Sequence, residues 1–152
     1  MSKKEDIITT ALNLFNRHNY SSIGIDRIIS ESGVAKMTFY KYFPSKESLI
    51  EECLSRRNKS IQQVIEQQLN QIDEGNYLGK IKAVYFWHVS WFNSDDFHGC
   101  MFQKASLEIL QQYPSIIGPI VDYRNWLMNL VEDLFEKVKV FQPHVLTTMY
   151  IN

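Results

Sequence analysis

Apolar residues recur with helical spacing along the chain, and no stretch alternates as a half-buried strand would. Ile7, Ile8, Ala11, Leu12, Leu14 and Phe15 form one side of a first predicted helix ending near His18-Asn19. Its start carries the capping-box spacing Ser2-x-x-Glu5. Ile25, Ile28 and Ile29, at i, i+3 and i+4, give a short second helix an apolar face, with Asp26, Arg27, Ser30 and Glu31 on the other. Ser32-Gly33 ends it, because Gly33 can take a positive φ without steric cost. Phe39 and Phe43, at i and i+4, bury one side of a third helix. Lys36, Met37, Thr38, Tyr40, Lys41 and Tyr42 occupy the rest of it. Pro44-Ser45 stops this helix and places Ser45 to cap the next.

That fourth helix is predicted to run to about Ile72. It has apolar positions at Leu49, Ile50, Cys53 and Leu54, and again from Ile61 to Ile72. Ser55 to Ser60 between them holds no apolar residue and predicts an exposed waist. Tyr77 to Phe92 is apolar nearly all round after Lys82, which marks a helix buried by the body or by a partner. Gly99-Cys100-Met101-Phe102 opens a helix to about Gln112, and Tyr113-Pro114-Ser115 and Gly118-Pro119 are irregular. The last long helix is predicted over 120–140, with a stripe of Leu127, Leu130, Val131, Leu134, Phe135 and Val138, and Gln142-Pro143 ending it.

Of 152 residues, 45% are apolar, enough for a real core, and the net charge is only −1. Its distribution says more. Residues 1–60 hold ten Lys/Arg against seven Asp/Glu, a net +3, and residues 61–152 hold six against ten, a net −4. A basic head on an acidic body suits a DNA-contacting module attached to something that does not touch DNA. Cys53 and Cys100 form no disulfide framework, and the polar N-terminus and short apolar runs point to neither a signal peptide nor a membrane span. A cytoplasmic protein is expected.

Two short helices joined by a glycine turn make a helix-turn-helix, whose second helix normally enters the DNA major groove. Ile28, Gly33-Val34, Thr38-Phe39-Tyr40-Lys41-Tyr42-Phe43, Ser45-Lys46 and Leu49 follow one another in an order that resembles the signature of the TetR family of bacterial transcriptional regulators. The resemblance implies an all-α fold: a three-helix DNA-binding head over 1–48, and a helical ligand-binding and dimerisation body over 49–152. It implies that the fourth helix links ligand site to head. Family members continue through two further helices that form most of the dimer interface, and only His144 to Asn152 could begin the first of these. A homodimer is therefore implied by the family but set against by a short C-terminal end.

At the matching positions Lys36, Met37, Thr38 and Tyr40 would face base edges, with Lys41 on the same helix. Tyr42 and Lys46 would hold phosphates, Lys46 in the first turn of the fourth helix, where free N–H groups favour an anion. Gly24 stands where the family usually has a hydroxyl residue; it can cap the second helix but offers no side-chain donor to a phosphate. In the body, Tyr85, Trp91, Phe102, Tyr123 and Trp126 suit an apolar pocket, with His88, Gln103 and Tyr123 as candidates to orient a guest. Plain core packing is the alternative for each. His98-Gly99-Cys100 lacks a second ligand pair for a metal, no nucleophile–base or carboxylate pair suggests catalysis, and no cofactor is implied. The expected function is a repressor that binds a palindromic operator in double-stranded DNA and is released by a small-molecule effector. Two other classes stay open: a ligand-binding or protein-interaction module that no longer controls DNA, and an enzyme built on the helical body.

Overall fold

The computed structural model describes residues 2–138, and all its regular structure there is helical. Seven α-helices follow in order: α1 Lys3–Arg17, α2 Ile25–Ser32, α3 Lys36–Tyr42, α4 Lys46–Asn70, α5 Tyr77–Phe92, α6 Met101–Glu108 and α7 Ile117–Lys137. One-turn 3-10 segments at Tyr20–Ser22 and Pro114–Ile116 precede α2 and α7. Residues 2–58 together with 96–120 form one compact unit; 59–95 and 121–138 belong to a second.

The first unit is built around the apolar faces expected from spacing. Ile7, Ile8, Ala11 and Phe15 of α1, Ile28 of α2, Phe39 of α3 and Leu49, Ile50, Cys53 and Leu54 of α4 are fully or almost fully buried. Gly33 closes α2 in the left-handed region, φ 73°, and so turns the chain into α3. Ser45 caps α4 by accepting from the Ser48 N–H at 3.1 Å, while Ser48 Oγ accepts from the Ser45 N–H at 3.3 Å. At α1 only half of the expected box forms. Ser2 Oγ accepts from the Glu5 N–H at 3.2 Å, but the Glu5 carboxylate takes the Arg56 guanidinium in a two-point pair at 2.6 and 3.0 Å. A fork of two charged donors is the stronger partner for a carboxylate.

That pair also corrects the exposed waist expected in α4. Lys59 and Ser60 are exposed as expected, but Ser55, Arg56 and Arg57 are half-buried and Asn58 is buried, with Arg56 lying back on Glu5 of α1. Polar composition marked solvent where it marked an ion pair.

In the second unit Tyr123, Leu127, Val131 and Leu134 form the buried stripe of α7, and Ile61, Ile65 and Leu69 that of α4. Gly118-Pro119 is no irregularity: it lies in the first turn of α7, where a proline's missing N–H costs nothing. α6 ends at Glu108, four residues before its expected end, where Ile109 leaves helical geometry (φ −136°) and is buried. Of the two covers expected for α5, the body or a partner, the described residues of the body supply the first only in part. Only Val84 is buried, and Leu78, Tyr85, Phe86 and Phe92 are each more than half exposed. Besides α5, the described residues of this unit form part of α4 and most of α7. The expected ends at Val140 and Gln142-Pro143, and the start of a helix at His144, lie outside the described residues.

Candidate nucleic-acid interface

α3 has seven residues, too few to be stable alone in water, and Ala35 at its N-cap offers no side-chain bond. Packing holds it. Phe39 is buried with Tyr40 edge-on at 5.3 Å and Phe43 tilted at 6.0 Å between ring centroids. At 100° per residue this leaves Met37 and Lys41 on the side opposite Phe39, with Lys36 and Tyr40 to one flank and Thr38 and Tyr42 to the other. The burial agrees: Met37 is 87% exposed, Lys36, Lys41, Tyr40 and Tyr42 are exposed, and Thr38 is half-buried. An apolar side chain standing that far into solvent, between two lysines and two phenols, contributes nothing to the core.

Gly24 is exposed and caps α2 without a side-chain bond. Lys46 is more constrained than its sequence position suggests. Its half-buried ammonium donates to the Tyr20 carbonyl at 2.7 Å, and burial lowers its pKa from the ordinary lysine value. One of its three N–H groups is thus used, and two remain for a phosphate.

Tyr20 joins three parts of this unit. Its buried ring stacks on Phe15 at 5.0 Å, and its hydroxyl donates to the Met101 carbonyl at 2.9 Å. Its N–H donates to Glu108 Oε1 at 2.9 Å. Both ends of α6 therefore bind one residue of the loop between α1 and α2. In mid-α6 the Lys104 ammonium donates to the carbonyls of Phe15, Asn16 and His18 at 3.1, 3.3 and 3.1 Å, closing the C-terminus of α1. Gly99, at φ 93°, lets the Lys104 stem pass: a Cβ there would lie 3.3 Å from Lys104 Cδ. Glu47 Oε2 accepts from the hydroxyl and N–H of Ser115 at 2.7 and 3.0 Å. Sequence reasoning missed Tyr20, Lys104 and Glu108, whose partners lie more than eighty positions away. A lone lysine within the apolar run of α6 was the available signal.

Two carboxylates here are expected to make the unit acid-sensitive. The Arg56 hydrogen bonds hold Glu5 below the ordinary 4.5, and the Ser115 hydrogen bonds do the same for Glu47. Lowered folded values mean that the stability these groups add is complete above the unfolded value and lost as pH falls through the folded one. The urea midpoint is therefore expected to drop below roughly pH 5, and Glu47→Gln to flatten part of that drop. An acid limb unchanged in the variant would show that Glu47 does not contribute.

The expected ligand residues divide between the units. Phe102 is buried and Gln103 exposed in the first; Tyr85, His88, Trp91, Tyr123 and Trp126 lie in the second. Trp91 lies 5.7 Å from Trp87 and Tyr123 6.3 Å from Trp126, ring centroid to centroid. Burial lowers the His88 pKa below 6.5, so the ring is neutral near pH 7; the Val84 carbonyl, 2.9 Å away, fixes its proton on Nδ1. A groove of about 360 Å³ where α4 ends is lined by Leu69, Asn70, Gln71, Ile72, Asp73, Glu74 and Lys80, none of them expected for a ligand. No described helix is long and apolar enough to cross a membrane.

Residues 7–53 match the family described as bacterial regulatory proteins, tetR family. The repressor NemR of Escherichia coli is 29% identical over 107 residues, which are 70% of this chain and 53% of that protein, so the chain spans about half its length. A TetR-family transcriptional regulator from Streptomyces coelicolor superposes with a TM-score of 0.83 at 24% identity, over 96% of this chain and 76% of that one. FadR of Bacillus subtilis, solved with stearoyl-CoA, superposes with a TM-score of 0.72 at 16% identity, over 96% and 80%. These structural likenesses show the fold, and residues 7–53 carry a head that matches the tetR family of bacterial regulatory proteins.

Proposed function

We propose that the protein is a sequence-specific DNA-binding transcriptional repressor, working as a homodimer on a palindromic operator in the cytoplasm and released by a small apolar or aromatic effector. The observation that carries this reading is the solvent face of α3, where Met37, Lys36, Lys41 and Tyr40 stand out from a helix whose buried side chain is Phe39. In a major groove, lysine donates to guanine O6 and N7, and the methyls of Met37 or Thr38 suit a thymine methyl. Tyr42 and Lys46 take flanking phosphates, while Gly24 leaves one phosphate without a side-chain donor. Two copies place two such helices about one helical turn of DNA apart.

The effector is read by the aromatic residues of the body, Tyr85, Trp91, Tyr123 and Trp126, with Phe102, and oriented by His88 and Gln103. FadR, of the same fold, was solved in complex with stearoyl-CoA, and NemR is a repressor. Both support a ligand-relieved repressor. Release requires that the effector bind the DNA-competent and DNA-incompetent states with different affinity.

Alanine variants test the division of labour on DNA. Lys46→Ala is expected to weaken binding to all duplexes alike and to lower the salt slope by about 0.9. Thr38→Ala and Lys36→Ala are expected to change which bases are preferred, by roughly 1–3 kcal/mol at one position. Identical behaviour of all three would refute the assignment of α3 as the reading helix.

A further inference from the structure

The ammonium of Lys46 is held by a backbone carbonyl, and that carbonyl belongs to a residue held from elsewhere. Tyr20 gives its N–H to Glu108, at the end of α6, and its carbonyl to Lys46, at the start of α4. Tyr20 lies in a three-residue turn with no side-chain cap of its own at Asn19. Its ring is anchored on Phe15 and the Met101 carbonyl, and its own carbonyl also accepts from the Ile23 N–H at 3.4 Å; the Glu108 bond is the one its N–H makes to a side chain, and it ties the turn to α6. A lysine side chain has many rotamers to lose, so an ammonium already aimed by a carbonyl loses less when a phosphate arrives.

We propose that Glu108, on α6, is a positioning residue for DNA binding: through the backbone of Tyr20 it sets the Lys46 ammonium where a phosphate will meet it. This rests on the DNA-binding reading above. It makes α6 part of the machinery that binds DNA, although Glu108 touches no DNA itself. The carboxylate orients and Lys46 contacts, so the two residues have separable signatures. Loss of Lys46 removes a phosphate contact and lowers the salt slope; loss of Glu108 removes only preorganisation and leaves the slope as it was.

The test is a double-mutant cycle on the full chain, with duplex DNA at several salt concentrations and thermal melting of every variant. Glu108→Ala is expected to raise Kd about two- to tenfold with the slope unchanged, and to add nothing in a Lys46→Ala background. Glu108→Gln, which keeps an acceptor oxygen at the same reach, is expected to bind like the parent. Should Glu108→Ala fail to fold, Glu108→Asp, shorter by a methylene, is read in its place. An equal loss in both backgrounds would make Glu108 a general prop of the fold and overturn the proposal, as would no loss in either. A parent that binds no duplex would overturn the DNA-binding reading and this proposal with it; a parent that binds while the cycle shows no coupling would overturn the proposal alone.

Discussion

Phe39→Ala is expected to cost about 3–5 kcal/mol and to lower Tm by roughly 6–20 °C. Phe39 is fully buried, and Tyr40 and Phe43 rest on its ring. Truncation removes the transfer free energy of the ring and leaves a cavity among Tyr40, Phe43 and the α1 side of the core. α3 cannot absorb such a loss, having neither length nor a capping side chain. The cost is a large part of the 5–15 kcal/mol typical of a whole domain, so the head is expected to open locally before the rest of the protein. Met37→Ala, two positions away and 87% exposed, is expected to change stability by less than about 0.5 kcal/mol while altering base preference. Urea titrations of the pair, followed by circular dichroism, check this. Equal stability of the two variants would mean that α3 is not held as described.

Lys104→Met is expected to cost about 1–3 kcal/mol, the second largest effect of any single change considered. Methionine keeps the stem and its packing but leaves the carbonyls of Phe15, Asn16 and His18 without their cation, at the helix end where a positive charge is most favourable. The ammonium also stands 5.9 Å from the Tyr20 ring centroid, so the variant loosens Tyr20 as well. Lys104→Arg is expected to rescue only part of the loss, since a planar fork cannot converge on three carbonyls as an ammonium does. Hydrogen exchange at the last turn of α1 is the readout, and unchanged protection there would contradict the capping role.

The head was legible because its determinants are local. Ile25, Ile28 and Ile29 name the buried side of α2, Gly33 its end, Phe39 and Phe43 the core side of α3, and Ser45 the start of α4; each acts within four positions of itself. The bonds of Tyr20, Lys104 and Glu108 obey no spacing rule, and the union of α6 with the head was invisible for that reason. The waist of α4 misled because composition cannot tell a solvated arginine from one paired with Glu5. α5 is apolar nearly all round, and of its two expected covers, the body and a partner, the described residues of the body bury only Val84. At the site, the exposed face of α3 followed from the periodicity, whereas the tie between Lys46 and Tyr20 needed three dimensions.

The central claim, that α3 reads DNA sequence as part of a pair, is tested most directly by selecting random duplex DNA with the purified protein at low salt and sequencing what is retained. The expected result is a palindrome whose half-sites lie about one helical turn apart, lost from the selection when Lys36 and Thr38 are both alanine. Retained DNA with no common sequence, or none retained at all, would contradict it.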